Sequence, residues 1–275
     1  MFRKTTGSIL CPSCGRLVNA DADVCFFCGR RRPGFWGFAP AVRRLATFGG
    51  VTNAITVTCV ALYVASLLLD PIAALRPHGF ELLAPSGRAL ILLGGTGAAV
   101  WAAGFWWTLI TAIYLHGGLL HILFNVLWIR QLGPAVQDLY GSSRLAVIFT
   151  VSGAAGFAFS NYLGIPLTIG ASGSIFGLLG AIVAYGRQRG GVFGSMVLRQ
   201  YGQWALVLFV FGFLTPGVNN WAHAGGFAGG FGGGLILSHL EQRAEGPVDH
   251  LLALGAIGLT VLGFALALYQ GFFAP

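Results

Sequence analysis

The strongest constraint on this chain is the recurrence of apolar stretches about as long as a lipid bilayer is thick. The first, from about Val51 to Asp70, is long enough to cross a hydrocarbon core of ~30 Å. Further spans read as about 115–133, 144–163, 171–187, 202–216, 220–239 and 250–271, seven in all. The rest of the composition agrees. Of 275 residues 56% are apolar and only 9% charged, with a mean hydropathy of +0.77, which leaves too little polar surface for a soluble globule of this size. The expected fold class is an all-α polytopic membrane protein. Its 43 glycines suit that class, because glycine lets membrane helices approach closely. The first apolar run follows dozens of polar and basic residues, so no cleavable signal peptide is expected.

Between the first two spans the pattern breaks. Residues 71–112 contain Pro71, Pro77 and Pro85 and a Gly- and Trp-rich tract ending at Trp106-Trp107, which predicts a loop lying in the membrane interface with aromatic anchors. A rival span from Ala89 to Trp107 is weakened by Gly94-Gly95-Thr96-Gly97.

Four of the five cysteines fall early, as Cys11-Pro12-Ser13-Cys14-Gly15 and Cys25-Phe26-Phe27-Cys28-Gly29. Paired C-x-x-C elements suit a structural zinc site better than a disulfide frame, and the glycine after each pair permits the φ > 0 turn that lets backbone N–H groups face sulfur. The alternative is a pair of redox motifs. Residues 1–34 are therefore expected to form a small zinc module and 35–50 a basic linker, with the membrane domain at 51–271. Cys59, inside the first span, reads as a small apolar filler.

The net charge of +8 does not indicate nucleic acid, because the basic residues lack the aromatic interleaving of a base-stacking surface. Topology accounts for them. With a cytosolic amino terminus, fourteen of the 16 Lys and Arg fall in inner segments, leaving only Arg76 and Arg88 outside, the skew expected of cytoplasmic loops. This layout puts the cysteines in the reducing cytosol, where zinc thiolates persist, and the carboxy terminus outside. The expected location is the plasma (inner) membrane.

The same topology sets depth. Spans two, four and six begin at the outer face, and their first turns carry His116, His121 and Asn125, then Ser172, then His223. Polar groups inside a membrane are costly and usually functional, and these share one level. His121 and Asn125, at i and i+4, lie on one helix face. His116 falls about half a turn away if the helix already includes Gly117-Gly118, so it is not assumed to join the site. Gly173, Gly177 and Gly180 form one small-residue stripe and Gly226, Gly230 and Gly234 another. Together they would let Ser172 and His223 come within hydrogen-bonding distance, ~2.6–3.2 Å. His223 would then act as general base and Ser172 as nucleophile, with Asn125, His121 and backbone N–H groups near Ser172 donating to an oxyanion. No Asp or Glu falls well inside a span, so the reading is a dyad, with an aromatic such as Phe176 orienting the imidazole. His78, His239 and His250 read as solvated.

Three motifs now resemble one family. Gly170-Ala171-Ser172-Gly173 resembles the G-x-S-G nucleophile motif of the rhomboid intramembrane serine proteases, Ala222-His223-Ala224-Gly225-Gly226-Phe227-Ala228-Gly229-Gly230 its A-H-x-x-G-x-x-x-G, and the segment from His116 through His121 to Asn125 its H-x4-H-x3-N. The resemblance covers residues 51–271. It implies a six-helix core with a seventh, carboxy-terminal helix, cleavage of single-span membrane proteins near the outer face, a Ser172–His223 dyad, and oxyanion roles for His121 and Asn125. Gly170, Gly173, Phe176 and His116 support the site, and catalysis needs no cofactor. Two positions depart from the family: Thr108 follows Trp107 where an arginine is frequent, and Gln137 stands where a glutamate is common. The zinc-ribbon-like extension is an accessory, with room for a cytosolic partner. Competing readings are a non-catalytic relative, which would lack the serine or histidine, and a transporter, which would show inverted repeats.

Overall fold

The glycine stripes decide how the membrane helices pack. The computed structural model describes residues 6–11, 16–29, 31–33, 50–76, 82–238 and 245–273, without the side chains of 238 and 272. Cys14, Pro77, His78, Glu81, His239, Glu241 and most of the linker lie outside the described residues. The chain divides into two units, residues 1–54 and 55–275.

In the first unit β1 (Ser8–Leu10) pairs antiparallel with β2 (Leu17–Asn19), Ile9 facing Val18. The Cys11 N–H donates to Arg16 O at 2.8 Å, continuing the pairing just past the two strands. Ile9 and Ala20 form a small core with Val18 against it.

The second unit is helical. Its long elements are α1 (Val51–Leu69), α6 (Leu119–Tyr140), α7 (Ser142–Tyr162), α8 (Ser172–Arg189), α9 (Gly191–Leu214), α10 (Asn220–Ser238) and α11 (Pro247–Phe272). Among the described residues, five helices are long and apolar enough to cross a membrane: α1, α6, α7, α9 and α11. With the family shown below, they make this a multi-pass integral membrane protein. The other two, α8 and α10, are rich in glycine and less apolar along their length. They carry Ser172 and His223. Helix α8 packs on α6, α7, α9 and α10, and Gly173 through Gly186 are all buried, so it faces protein and needs no long apolar surface.

The described residues between 71 and 112 carry short helices instead of one long span: α2 (Pro71–Ala74), α3 (Gly87–Leu92), α4 (Ala98–Ala102) and α5 (Thr108–Thr111). The rival span from Ala89 fails at Gly94–Gly97, which separates α3 from α4. In α1 the buried residues Ile55, Thr56, Cys59, Tyr63 and Ser66 mark one helix face, while Val57, Val60, Val64 and Leu68 are exposed on the other, as suits a helix between protein and lipid.

Helix boundaries differ from the expected spans where tertiary packing extends a helix past its apolar run. Helix α6 continues through Pro134 to Tyr140, because the Tyr140 hydroxyl donates to Ala181 O at 2.9 Å on α8. Helix α9 begins eleven residues before position 202. A Cβ built on Gly186 would stand 3.0 Å from Gly194 O, so the amino-terminal part of α9 packs on α8 despite its Arg and Gln.

Helices α8 and α10 meet glycine to backbone. A Cβ on Gly226 would strike Gly173 O, one on Gly230 would strike Gly177 O, and one on Gly234 would stand 2.9 Å from Ala181 Cα. The two stripes read from the sequence thus face each other along their length.

At the opposite end from Ser172, α7 is clasped to α11. Arg144 and Asp249 are 2% and 2% exposed and form a two-pronged ion pair, Nε to Oδ1 at 3.0 Å and Nη2 to Oδ2 at 3.2 Å. Glu245 accepts from the Ser143 N–H at 2.6 Å and the Arg144 N–H at 3.1 Å, a carboxylate at a helix amino terminus where the dipole favours it. The sequence reading took Arg144 for a topological charge; it is a packed one. That carboxylate holds the α6–α7 turn in which Gln137 departs from the family. His250 is exposed, as expected, and shares a hydrogen bond of 2.8 Å with Ser143 Oγ. Cys59 is fully buried in α1.

Two substitutions test this packing by thermal unfolding in detergent. Gly230→Val should destabilise by ~1–3 kcal/mol, the usual penalty of overpacking, while Gly232→Ala, which meets nothing within 4 Å, should leave the midpoint unchanged. Arg144→Met, which strands Asp249 in the interior, should lose ~3–5 kcal/mol, and adding Asp249→Leu should recover most of it.

Candidate active site

Ser172 is the first residue of α8 and is partly exposed. The first turn of a helix has backbone N–H groups without intrahelical partners, so the serine sits beside ready donors. The chain reaches it through Gly170, whose φ of +112 favours glycine. A Cβ there would stand 2.5 Å from His121 Nε2. Gly170 is thus required twice, by backbone conformation and by the imidazole packed against it.

His121 lies in the first turn of α6. Its Nδ1 accepts from the Gly117 N–H at 3.3 Å, which assigns the proton to Nε2, the nitrogen facing Gly170. Asn125, one turn on and 4% exposed, donates from Nδ2 to His121 O at 2.7 Å. Its second N–H remains, and its Oδ1 is buried without a hydrogen-bond partner.

His116 is placed differently from expectation. The helix starts at Leu119, so the half-turn offset does not apply, and the His116 ring meets that of His121 edge-on at 5.1 Å. His116 is fully buried and donates from Nδ1–H to Tyr114 O at 3.2 Å, while its Nε2 has no partner.

His223, 6% exposed, is in the first turn of α10. Its ring stacks on Phe176 with centroids 4.3 Å apart and planes 15° from parallel. Phe176 is one turn after Ser172, so the imidazole is held over the face of α8 that carries the serine. A Cβ on Gly173 would lie 3.4 Å from the carbonyl oxygen of Ala222, the residue before the histidine. The structure thus sets Phe176 against His223, Gly170 against His121, His121 against His116 and Gly173 against the residue before His223, with Asn125 tied to His121 O and Ser172 at the start of α8.

One orienting group escaped the sequence reading. Asn220 Oδ1 accepts from His223 Nδ1–H at 3.2 Å, leaving Nε2 with the lone pair. The N-x-x-H spacing, which puts an amide one helical turn before the imidazole, was the available signal.

Thr108 is also accounted for. Its hydroxyl donates to Phe105 O at 2.7 Å and lies 3.0 Å from Thr96 Oγ1, which accepts from Asn161 Nδ2 at 2.9 Å. Neutral hydroxyls and an amide hold the loop to α7 without an arginine.

In the other unit, the Sγ atoms of Cys11, Cys25 and Cys28 all lie within 4.8 Å of one another, Cys11 and Cys28 at 3.7 Å. That separation is the edge of a tetrahedron with metal–sulfur bonds of ~2.3 Å and far exceeds a disulfide bond. Gly29 has φ +72, as expected for the turn after Cys28. The cluster fits a metal ion.

Comparison with known proteins agrees with this arrangement. The rhomboid domain model matches residues 103–240. The chain is 34% identical over 198 residues, 68% of its own length, to the rhomboid protease GluP of Bacillus subtilis (strain 168). It is 34% identical over 152 residues to the putative rhomboid protease YdcA of the same organism, covering 52% of this chain and 72% of that one, and 33% identical over 150 residues to RHOMBOID-like protein 4 of Arabidopsis thaliana, 54% of this chain. The chain spans little more than a third of the length of GluP and of the Arabidopsis protein, at 36% and 38%. A family model covering half the chain, and matches that include Ser172 and His223 within its bounds, lead to one conclusion: this chain belongs to the rhomboid family.

Proposed function

We propose that the chain is an intramembrane serine endopeptidase that hydrolyses peptide bonds in or near the transmembrane segments of single-span membrane proteins, close to the outer face. The observation that carries this reading is the stacking of His223 on Phe176, one turn from Ser172, with the Nδ1 side of the ring bound to Asn220.

In this reading Ser172 Oγ attacks the scissile carbonyl carbon while His223 Nε2 takes its proton. The His121 Nε2–H, the second Asn125 N–H and the backbone N–H groups of the first turn of α8 stabilise the developing oxyanion. His223 then gives its proton to the leaving amine as the C–N bond breaks. Water activated by the same imidazole releases the acyl group. Two elements orient the imidazole, the face of Phe176 and the Asn220 amide, so no carboxylate is needed. The substrate helix unwinds locally, since helical carbonyls are otherwise hydrogen-bonded, and water reaches the site from the outer surface, beneath the loop from Thr215 to Asn220.

The charge skew supports a cytosolic amino terminus, an outward-facing dyad and an external carboxy terminus. Residues 1–34 form, in this proposal, a module separate from the membrane domain at 51–271, joined by 35–50. Zinc is its metal: Cys11, Cys25 and Cys28 supply three thiolates and Cys14 the fourth. Its role is structural, and any partner of the module is cytosolic.

Cleavage of a model single-span protein in detergent or proteoliposomes tests the dyad. Wild type should release product, and Ser172→Ala and His223→Ala should each lose at least ~10³-fold in rate; equal product from all three chains would sink the assignment. Labelling by a fluorophosphonate probe should vanish in Ser172→Ala, slow steeply in His223→Ala, which leaves the hydroxyl without its base, and persist in surface variants that remain folded. For the amino-terminal module, elemental analysis should find about one zinc per chain, lost on serine substitution of Cys11 or Cys28; protein isolated without metal would refute it.

A further inference from the structure

Nucleophile and base sit on different helices, so some contact must fix their separation. Glycine packing sets how closely α8 and α10 approach, but it leaves sliding along the interface to be restrained by something directional. The side chain of Asn219, which directly precedes α10, is placed to do this. One N–H of its amide donates to Ser160 Oγ at 2.5 Å and the other to Thr168 Oγ1 at 3.0 Å. Its Oδ1 accepts from the Ala222 N–H at 3.2 Å, and its backbone oxygen accepts from the His223 N–H at 3.3 Å. Both amide donors are committed to the scaffold, and both oxygens to the turn that carries the base.

The scaffold end is anchored in turn. Ser160 and Thr168 are buried, 0% and 3% exposed, and their hydroxyls are 2.9 Å apart. The Thr168 N–H donates to Thr96 O at 2.7 Å, and Asn161 ties Thr96 to α7. Thr168 lies four residues before Ser172, and Asn219 four residues before His223. The Asn219–Thr168 hydrogen bond therefore spans the two segments that deliver the catalytic pair.

We propose that Asn219 is a positioning residue for the reaction: a strut between the segment leading to Ser172 and the first turn of α10 that sets the distance from Ser172 Oγ to the His223 imidazole. This inference rests on the Ser172–His223 reading. A displacement of about 1 Å between reacting groups can cost ~10²-fold in rate, so the strut is read in turnover rather than in substrate binding.

The experiment compares wild type, Asn219→Ala, Asn219→Asp, Thr168→Val and the Asn219→Ala/Thr168→Val double variant in full-length protein, using cleavage of a model single-span substrate and the rate of fluorophosphonate labelling. Asn219→Ala should lower kcat ~10–100-fold with KM changed less than ~2-fold and the labelling rate reduced in step. Thr168→Val, which leaves the Ala222 cap intact, should act in the same direction, and the double variant should be no worse than the poorer single one. Asn219→Asp should restore most of the rate, since its carboxylate accepts from the Ala222 N–H and from both hydroxyls. A wild-type chain that labels while Asn219→Ala labels equally fast overturns the strut and leaves the dyad standing. So does a Thr168→Val chain with unchanged kcat, or a loss of kcat matched by a fall in melting temperature and not recovered by Asn219→Asp. Wild-type protein that neither labels nor cleaves overturns the dyad, and the strut with it.

Discussion

The close approach of α8 to α10 is the contact on which the rest of the membrane unit depends. Lipid is as apolar as leucine, so burial from water does not hold two membrane helices together; van der Waals contact does, and it falls steeply with distance. Gly173, Gly177, Gly226 and Gly230 bring backbone against backbone, with no space for a methyl group between Gly230 and Gly177. Once those backbones are in register, residues in the first turn of each helix are neighbours. Ser172 and His223 occupy those turns.

Close packing of small residues fixes distance but not orientation, and the polar side chains in the membrane unit supply that second element. They form separate sets at the two ends of the helices. At one end Phe176, Asn220 and Asn219 hold the imidazole and its helix, while Gly117 and Gly170 hold His121. At the other, Arg144, Asp249 and Glu245 join α7 to α11, so the carboxy-terminal helix is tied to the helix that packs against both α8 and α10. Each buried charge in that clasp is paired, as a low-dielectric interior requires. No comparable charge pair is present at the Ser172 end among the described residues, where the hydrogen bonds are between neutral groups. A neutral network costs less to bury.

The departures from the family pattern become intelligible in these terms. With Thr108 the first loop loses an arginine, but hydroxyl and amide groups from Thr96, Thr108, Asn161 and Phe105 connect it to α7. Gln137 puts an amide near the end of α6, and the first turn of α7 takes its carboxylate from Glu245, which directly precedes the start of α11. The sequence marks such substitutions only as missing residues, because the compensating group lies 53 or 108 positions away.

What the sequence determined by itself was whatever has a local period or a local motif. Apolar length predicted the long helices, glycine spacing predicted the facing stripes, and G-x-S-G with A-H-x-x-G placed Ser172 and His223 on them. It also located Cys11, Cys25 and Cys28, whose thiols the fold gathers. Tertiary structure decided the rest. It extended α6 to Tyr140, whose hydroxyl reaches Ala181 O on α8, and α9 back to Gly191, where Gly194 and Val197 pack against Gly186 of α8. It brought His116 onto His121 by starting α6 after Gly118, whereas the Asn220–His223 bond is local and legible in the N-x-x-H spacing. It also buried Arg144 against Asp249, 105 residues apart. A hydrogen bond between segments far apart leaves no periodic trace in either, so these contacts exist only once the glycine interface has set the helices side by side.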